Sequence, residues 1–202
     1  MATAQSRNGN TLCGEEPMSE MTVTESDEIP GLLKISLVVH EDDRGSFTEL
    51  FQAEKLHDAG FPDWFTPVQT NLSTNNQKGV TRGIHAEPWN KYITPLSGKA
   101  FVAIVDLRPD NFGTVETFEL QKGDALFVPK GCGNSYQTLE DNTFYLYHVD
   151  AHWQTGLAYP SIHPFDQKLA IHWPIGADEA IISEKDSRNP LLQTIKPIEV
   201  KQ

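Results

Sequence analysis

Short apolar runs recur along this chain from Ile29 onward, and turn-forming residues separate them. Each run has the length of a β-strand, is rich in β-branched and aromatic residues, and is bounded by Gly, Pro, Asn or Asp. Regularly spaced strands without helical patterns between them are typical of a sandwich or barrel. The predicted strands are Leu32–Val39, Tyr92–Leu96, Ala100–Val105, Val115–Leu120, Ala125–Val128 and Thr143–Tyr147.

Few other elements are predicted. A helix is expected from Gln52 to Ala59, because Gly60 and Pro62 follow and end it. Residues 1–28 are mostly polar with almost nothing to bury, so we predict a disordered N-terminal arm. The length of 202 residues favours one domain, which we assign to residues 29–176. Residues 177–202 are predicted to form a short helical or irregular closing tail.

Composition and charge narrow the possible functions. The net charge is -12 and Lys or Arg never run longer than a pair, so a nucleic-acid role is not expected. The sequence has neither an apolar stretch of about 18 residues nor the pattern of a signal peptide, which predicts a cytoplasmic protein. Its two cysteines, Cys13 and Cys132, are too few to staple a fold and fit a reducing compartment.

One turn points to a particular kind of barrel. The segment Gly123–Gly131 has a Gly-Asp turn, a buried strand and a Pro-x-Gly turn, and it resembles the second motif of the cupin jelly roll. In metal-binding cupins this motif continues to a histidine, but Asn134 stands at that position here. The earlier segment Gly83–Glu87 offers one histidine, His85, where two would be expected. An amide is a poor ligand for a transition metal, so we predict no metal and no cofactor.

Four ordered segments resemble the dTDP-4-dehydrorhamnose 3,5-epimerase family, whose members are metal-free cupins. The resemblance covers residues 29 to 175 and implies a mostly-β, cupin-type jelly-roll barrel with short peripheral helices. It also implies a homodimer that shares N-terminal strands. The segments are Asp43–Glu49; Gln69–Ser73 with Gly79–His85; Tyr147 with His152 and Trp153; and Ile162–Pro174.

The family's reaction, as the resemblance implies it, removes protons from C3 and C5 of a 4-keto-6-deoxyhexose carried on a nucleoside diphosphate. His85 would be the base, because imidazole is neutral near pH 7, and Asp166 would orient it. Lys91 would stabilise the negative charge on the C4 oxygen, and Tyr147 would donate a proton from the opposite face. Taken singly, His85, Asp166 and Tyr147 also suit a structural histidine, a turn cap and a packed aromatic.

The resemblance also implies a set of binding residues. Arginine forks suit a pyrophosphate, and two arginines lie in the matching motifs. Because the whole protein is acidic, such local positive charge must capture the anionic ligand. The candidate substrate-binding residues are Arg44 and Arg82, with Phe47, Glu49, Gln69, Asn71 and Asn134 for the base, the nucleotide and the sugar.

The chain departs from the family pattern at three places. Asn134-Ser135-Tyr136 replaces a His-Gly-Phe stretch, the loop between His85 and Lys91 is shorter, and His40 replaces an aromatic residue. This variant looks like the branch related to bifunctional epimerase/reductase proteins, so a dTDP-4-dehydrorhamnose reductase is a possible partner. Besides the 3,5-epimerase, the sequence leaves open a single-carbon epimerase or isomerase on a related nucleotide 4-keto-sugar. A non-catalytic sugar-nucleotide binding cupin and a metal-dependent cupin also stay open.

Overall fold

The computed structural model describes residues 20–200, and β-strands dominate it. The strands are β1 (Thr22–Glu25), β2 (Leu33–Ser36), β3 (Val39–Asp42), β4 (Gly45–Thr48), β5 (Gln69–Asn75), β6 (Val80–His85), β7 (Lys91–Ser97), β8 (Ala100–Asp106), β9 (Val115–Leu120), β10 (Asp124–Val128), β11 (Cys132–Thr138), β12 (Thr143–Val149) and β13 (Ile181–Ile182). The helix α1 covers Ala53–Asp58, and short 3₁₀ helices cover Pro109–Asn111, Gln167–Leu169, Asp186–Arg188 and Leu192–Thr194.

Two sheets face each other around the main core. One has six strands in the order β1-β2-β10-β7-β12-β5, and the other has five in the order β13-β6-β11-β8-β9. Alternate side chains of each strand point between the sheets, so Ile93 and Leu126 of the first meet Val102 and Ile104 of the second. This arrangement confirms the predicted mostly-β jelly-roll barrel with short peripheral helices.

The predicted elements match the observed ones where the apolar pattern is strong. The run Val115–Leu120 is β9 with the same bounds, and the expected helix lies within Gln52–Ala59. Gln52 caps α1, because its side-chain oxygen accepts a hydrogen bond from Lys55 N at 2.6 Å. The run Leu32–Val39 instead divides between β2 and β3, because the chain leaves the six-stranded sheet after Ser36.

The expected disordered arm is wrong over its last residues. Strand β1 lies within residues 1–28 and pairs antiparallel with β2, which places Val23 opposite Ile35. Met21 and Val23 pack against a second apolar cluster on the outer face of the six-stranded sheet, where α1 also buries Leu56. Two apolar side chains are therefore enough to add a strand to an open sheet edge. The rest of the predicted arm, residues 1–19, lies outside the described residues.

The C-terminal segment covers the outer face of the five-stranded sheet. Ile162, Leu169 and Leu192 pack there against Ile84 and Val105. Strand β13 extends the same sheet by pairing in parallel with β6, with Ile181 beside Val80. Residues 181–188 are thus brought next to β6, the strand that carries His85. Within residues 20–200, the helices are all too short or too polar to cross a membrane.

Candidate active site

A polar cavity lies between the two sheets at one end of the barrel. Strands of both sheets contribute to it, together with the loop after β6 and the C-terminal segment. Its lining includes the predicted site residues Arg82, His85, Lys91, Asn134 and Tyr147. The other lining residues are Ser73, Glu87, Tyr136, Tyr145 and Asp186.

His85 has a buried carboxylate partner, and that partner is Asp186. Nε2 of His85 lies 2.8 Å from Oδ1 of Asp186, and the two side chains are 24% and 6% exposed. Burial raises the pKa of Asp186, but the hydrogen bonds from His85 and from Gly83 N–H more than offset it, so the pKa lies below its usual value. An ionised Asp186 accepts the Nε2 hydrogen, which leaves the lone pair on Nδ1 free to take a proton.

The prediction that Asp166 orients His85 is wrong. Asp166 lies outside the cavity, where its carboxylate caps a 3₁₀ helix by accepting from Lys168 N at 2.9 Å. Its other oxygen accepts from Leu192 N at 2.7 Å, which ties the end of the chain to the sheet. Asp166 is thus a turn cap, the simpler of its two interpretations. No sequence motif singles out Asp186, because it ends the polar run Ser183-Glu184-Lys185-Asp186.

Tyr147 enters the cavity from the opposite sheet. It lies on β12 of the six-stranded sheet, whereas His85 lies on β6 of the five-stranded sheet. Burial, with a further contribution from the negative charge of Glu87, raises the pKa of Tyr147 to about 12. Tyr147 therefore keeps its phenolic proton at neutral pH and can act as an acid.

Lys91 is buried in the cavity wall and forms an ion pair with Glu87. Lys91 is 5% exposed, and Glu87 is four residues before it, in the loop after β6. A buried ammonium needs such a partner, because an unpaired charge would be costly to bury. Glu87 was not among the predicted site residues, although the sequence places it only two residues after His85.

Two further predicted residues lie at the cavity. Asn134 on β11 pairs in register with His85, so its amide lies on the neighbouring strand beside the imidazole. Arg82 is exposed as a whole residue and donates from Nε to Asn75 Oδ1 at 3.0 Å. Tyr136 Oη donates to the same Asn75 oxygen at 3.3 Å.

Gln69 and Asn71 belong to the same face of β5 as the cavity residue Ser73, since alternate residues of a strand share a face. Asn71 is directly opposite Tyr147 in the β5–β12 pairing. Gln69 donates to Asn71 Oδ1 at 2.8 Å and accepts from Trp153 N at 2.9 Å. The two amides therefore continue the polar face on which Ser73 lies.

The remaining predicted binding residues do not join this cavity within one chain. Arg44 and Phe47 lie on the β3–β4 hairpin, where the Arg44 side chain is 90% exposed and pairs with Asp42. Phe47 is 65% exposed. Glu49 lies in a separate depression and forms an ion pair with Lys55. The hairpin forms its own two-stranded sheet, so these three residues do not line the cavity of their own chain, and their role in substrate binding stays a prediction.

The cavity has acid, base and cationic groups but no ligand set for a metal. Across residues 20–200, no group of three or more His, Cys, Asp or Glu side chains is placed to hold an ion. A family model described as dTDP-4-dehydrorhamnose 3,5-epimerase matches residues 26–194. The chain belongs to this family of epimerases. The match includes Asp186 as well as the segments that carry the sequence resemblance.

Individual members of the family cover most of the chain. The protein RmlC homolog of Streptococcus pyogenes serotype M6 is 40% identical over 184 residues, which are 88% of this chain and 92% of that protein. The dTDP-4-dehydrorhamnose 3,5-epimerase of Streptomyces griseus is 34% identical, with 74% of this chain and 76% of that enzyme covered. RmlC from Streptococcus suis, solved in complex with dTDP-D-xylose, superposes with a TM-score of 0.84 at 37% identity and covers 88% of this chain and 94% of its own.

Proposed function

We propose that this protein epimerises dTDP-4-dehydro-6-deoxy-D-glucose at C3 and C5 to give dTDP-4-dehydro-L-rhamnose, a step of dTDP-L-rhamnose biosynthesis. Family membership and the dTDP-sugar bound by the Streptococcus suis relative support this substrate class. The observation that carries the proposal is the His85–Asp186 pair across one cavity from Tyr147. An epimerase needs a base and an acid on opposite faces of one carbon, and these residues come from opposite sheets.

The first half of the reaction breaks a C–H bond beside the C4 ketone. Neutral His85 takes the proton, and the electron pair of the bond moves to the C4 oxygen as an enolate. Asp186 stabilises the imidazolium that forms. The Lys91 ammonium, already held in the cavity wall by Glu87, stabilises the oxyanion.

The second half returns a proton to the other face of the same carbon. The Tyr147 hydroxyl donates it, the electron pair of the enolate re-forms the ketone, and a phenolate remains. The imidazolium and the phenolate then exchange protons with water, which restores the starting enzyme before the next carbon reacts. The substrate is unchanged in composition, so the reaction needs no oxidant, reductant or cofactor.

The nucleotide would be bound around the cavity mouth. Arg82 offers the free part of its guanidinium to the pyrophosphate, and Gln69 and Asn71 offer amides to the sugar or the base. The hairpin residues Arg44 and Phe47, and Glu49 directly after the hairpin, would act on the neighbouring subunit of a homodimer. We place the enzyme in the cytoplasm, with a dTDP-4-dehydrorhamnose reductase as its partner in the pathway.

Asn134 favours a second candidate function, epimerisation at one carbon of a related nucleotide 4-keto-sugar. An amide donates and accepts hydrogen bonds but does not carry a proton from one group to another. It stands where the family pattern has a histidine, beside the base in the β6–β11 pairing. The number of exchanging carbons therefore decides between the two functions.

Incubation with the dTDP-4-keto sugar in deuterated water tests both functions. Label at C3 and C5, observed by NMR together with the rhamno-configured product, supports the 3,5-epimerase. Label at one carbon alone supports the single-carbon enzyme. No label, with retained dTDP binding, would identify a non-catalytic binding cupin instead. The His85→Ala variant is the control, and exchange at the wild-type rate in that variant would contradict the assigned base.

A further inference from the structure

The cavity wall contains a tyrosine hydroxyl that makes no well-formed hydrogen bond to the protein. Tyr145 is 1% exposed and lines the cavity from β12, two residues before Tyr147. Five buried side-chain atoms within residues 20–200 lack a hydrogen-bond partner, and Tyr145 Oη is the one that belongs to a cavity residue. A buried polar group without a partner is destabilising, so its presence in a ligand cavity calls for an explanation.

Two other buried tyrosines have hydroxyl groups that donate a hydrogen bond to the protein. Tyr92 Oη donates to Leu50 O at 2.6 Å, and Tyr136 Oη donates to Asn75 Oδ1 at 3.3 Å. The Tyr145 ring stacks on the Tyr136 ring with 4.0 Å between centroids and an angle of 17°. Stacking on Tyr136 thus holds the Tyr145 ring, whereas its oxygen lacks a well-formed hydrogen bond of the kind that Tyr92 and Tyr136 make.

Asn134 is the polar neighbour of this hydroxyl. Burial raises the pKa of Tyr145 well above its ordinary value, and the Asn134 side chain lowers it in part. The amide thus approaches the hydroxyl within hydrogen-bonding range, but the contact falls short of a well-formed hydrogen bond. The other contact of the Asn134 amide, 3.5 Å from Nδ2 to Ser135 O, is also weak, so a ligand oxygen can compete with both.

We propose that the Tyr145 hydroxyl and the Asn134 amide together bind a hydroxyl group on the sugar ring of the substrate, which makes Tyr145 a specificity-determining residue. The chemistry fits a neutral ligand oxygen, because both groups are uncharged and each can donate and accept. A phosphate or carboxylate would instead be drawn to Arg82 and Lys91. The inference rests on the proposed function for the identity of the nucleotide sugar.

Binding of dTDP-D-xylose to full-length Tyr145→Phe tests this inference without turnover, because that sugar has ring hydroxyls but no ketone. By calorimetry, we expect its Kd to rise about tenfold, the loss of roughly one good hydrogen bond, while the Kd of dTDP stays within about twofold. Tyr92→Phe is the matched control, because it removes a buried hydroxyl outside the cavity. Its Kd values for dTDP-D-xylose and for dTDP should both equal those of the wild type. Equal affinity of Tyr145→Phe and wild type for dTDP-D-xylose would overturn the proposal. Equal weakening of dTDP and dTDP-D-xylose would overturn it too.

Thermal unfolding without ligand gives a second readout. Removing an unsatisfied hydroxyl should leave the Tm of Tyr145→Phe unchanged or raise it by about 2 °C, whereas Tyr92→Phe should lose about 2–4 °C. A matching loss in both variants would show that Tyr145 has a structural partner and would overturn the proposal. Neither measurement depends on C3 or C5 exchange. The deuterium experiment therefore tests the epimerase assignment, whereas the Kd and Tm of Tyr145→Phe test the role of Tyr145.

Discussion

Individual side chains in the cavity owe their roles to the partners that the fold gives them. The C-terminal region has two buried aspartates, Asp166 and Asp186. Their hydrogen-bond partners show which of the two interacts with His85. Asp186 is bonded to an imidazole, whereas Asp166 accepts from two backbone N–H groups. The same residue type therefore serves the chemistry at one position and the fold at the other.

Matched substitutions should separate these two aspartates. Asp186→Asn removes the charge that stabilises the imidazolium, so we expect kcat to fall by about 10²–10⁴-fold. Asp166→Asn leaves the cavity intact but weakens two caps, which should cost about 1–2 kcal/mol of unfolding free energy with kcat within a few-fold of wild type. Exchange kinetics and urea unfolding measure both effects. The reverse outcome would restore Asp166 as the partner of the base.

Tyr147→Phe should uncouple proton removal from epimerisation. The phenylalanine ring keeps the packing but has no proton to donate, while His85 can still remove and return a proton on its own face. We expect label to enter the substrate at an appreciable rate while formation of the inverted product falls by about 10²-fold or more. NMR of the substrate and product pools measures the two rates separately. If both rates fall together by the same factor, Tyr147 is not the acid.

Acid should weaken the fold through Asp186. Its folded pKa lies below the ordinary value of 3.8, so the ionised form is favoured by folding. That contribution is present in full above the unfolded pKa and is lost as the pH falls through the folded pKa. Between about pH 5 and pH 2 the Tm of wild type should therefore fall more steeply than the Tm of Asp186→Asn. Parallel curves for the two proteins would contradict this contribution.

At the scale of the element, three of the strands that line the cavity, β5, β6 and β11, were not predicted from the apolar pattern. Strand β5 has the sequence Gln-Thr-Asn-Leu-Ser-Thr-Asn, and β11 contains Asn134, Ser135 and Gln137. Ser73 and Asn134 are polar and line the cavity, whereas Gln137 faces away from it and donates to Thr81 Oγ1 and Ile175 O. Polar residues thus lie on both faces, so the apolar alternation that predicts a strand is missing. Strands β8 and β9 pack apolar core residues, and the same pattern predicted both.

The approach of β6 to β11 depends on a glycine beside the base. Gly83 has φ +111°, and a Cβ there would lie 2.7 Å from Asn134 O and 2.9 Å from Ser135 Cα. We expect Gly83→Ala to lower the unfolding free energy by about 2–4 kcal/mol, because backbone atoms cannot yield as a flexible side chain would. Gly156→Ala is the control: its φ is +84° but nothing lies within 4 Å, so about 1 kcal/mol is expected. Equal losses in urea unfolding would remove the steric argument.

At the scale of the whole molecule, the proposed homodimer would bring Arg44 of the exposed β3–β4 hairpin to the cavity of the partner subunit. Mixing the inactive variants Arg44→Ala and His85→Ala then creates dimers with one intact site. After subunit exchange, we expect about a quarter of wild-type activity to return, because half of the dimers are mixed and each has one complete site. If Arg44 serves its own chain, every site in the mixture stays defective and no activity returns.

The sequence by itself determined the barrel, its family and most of the chemistry. Apolar alternation and turn residues decide which segments become buried strands, and the Arg-Gly-x-His segment, Lys91 and Tyr147 are local signals that do not depend on folding. Tertiary structure alone decided the partner of His85, because Asp186 lies in a polar segment 101 residues away and reaches the base only through β13 beside β6. It also decided that Glu87 holds Lys91, and that Arg44 lies outside the cavity of its own chain. Contacts between residues that are far apart in the sequence depend on the register of the sheet and on the packing of the C-terminal segment. Neither produces a hydrophobic periodicity from which those contacts could be predicted.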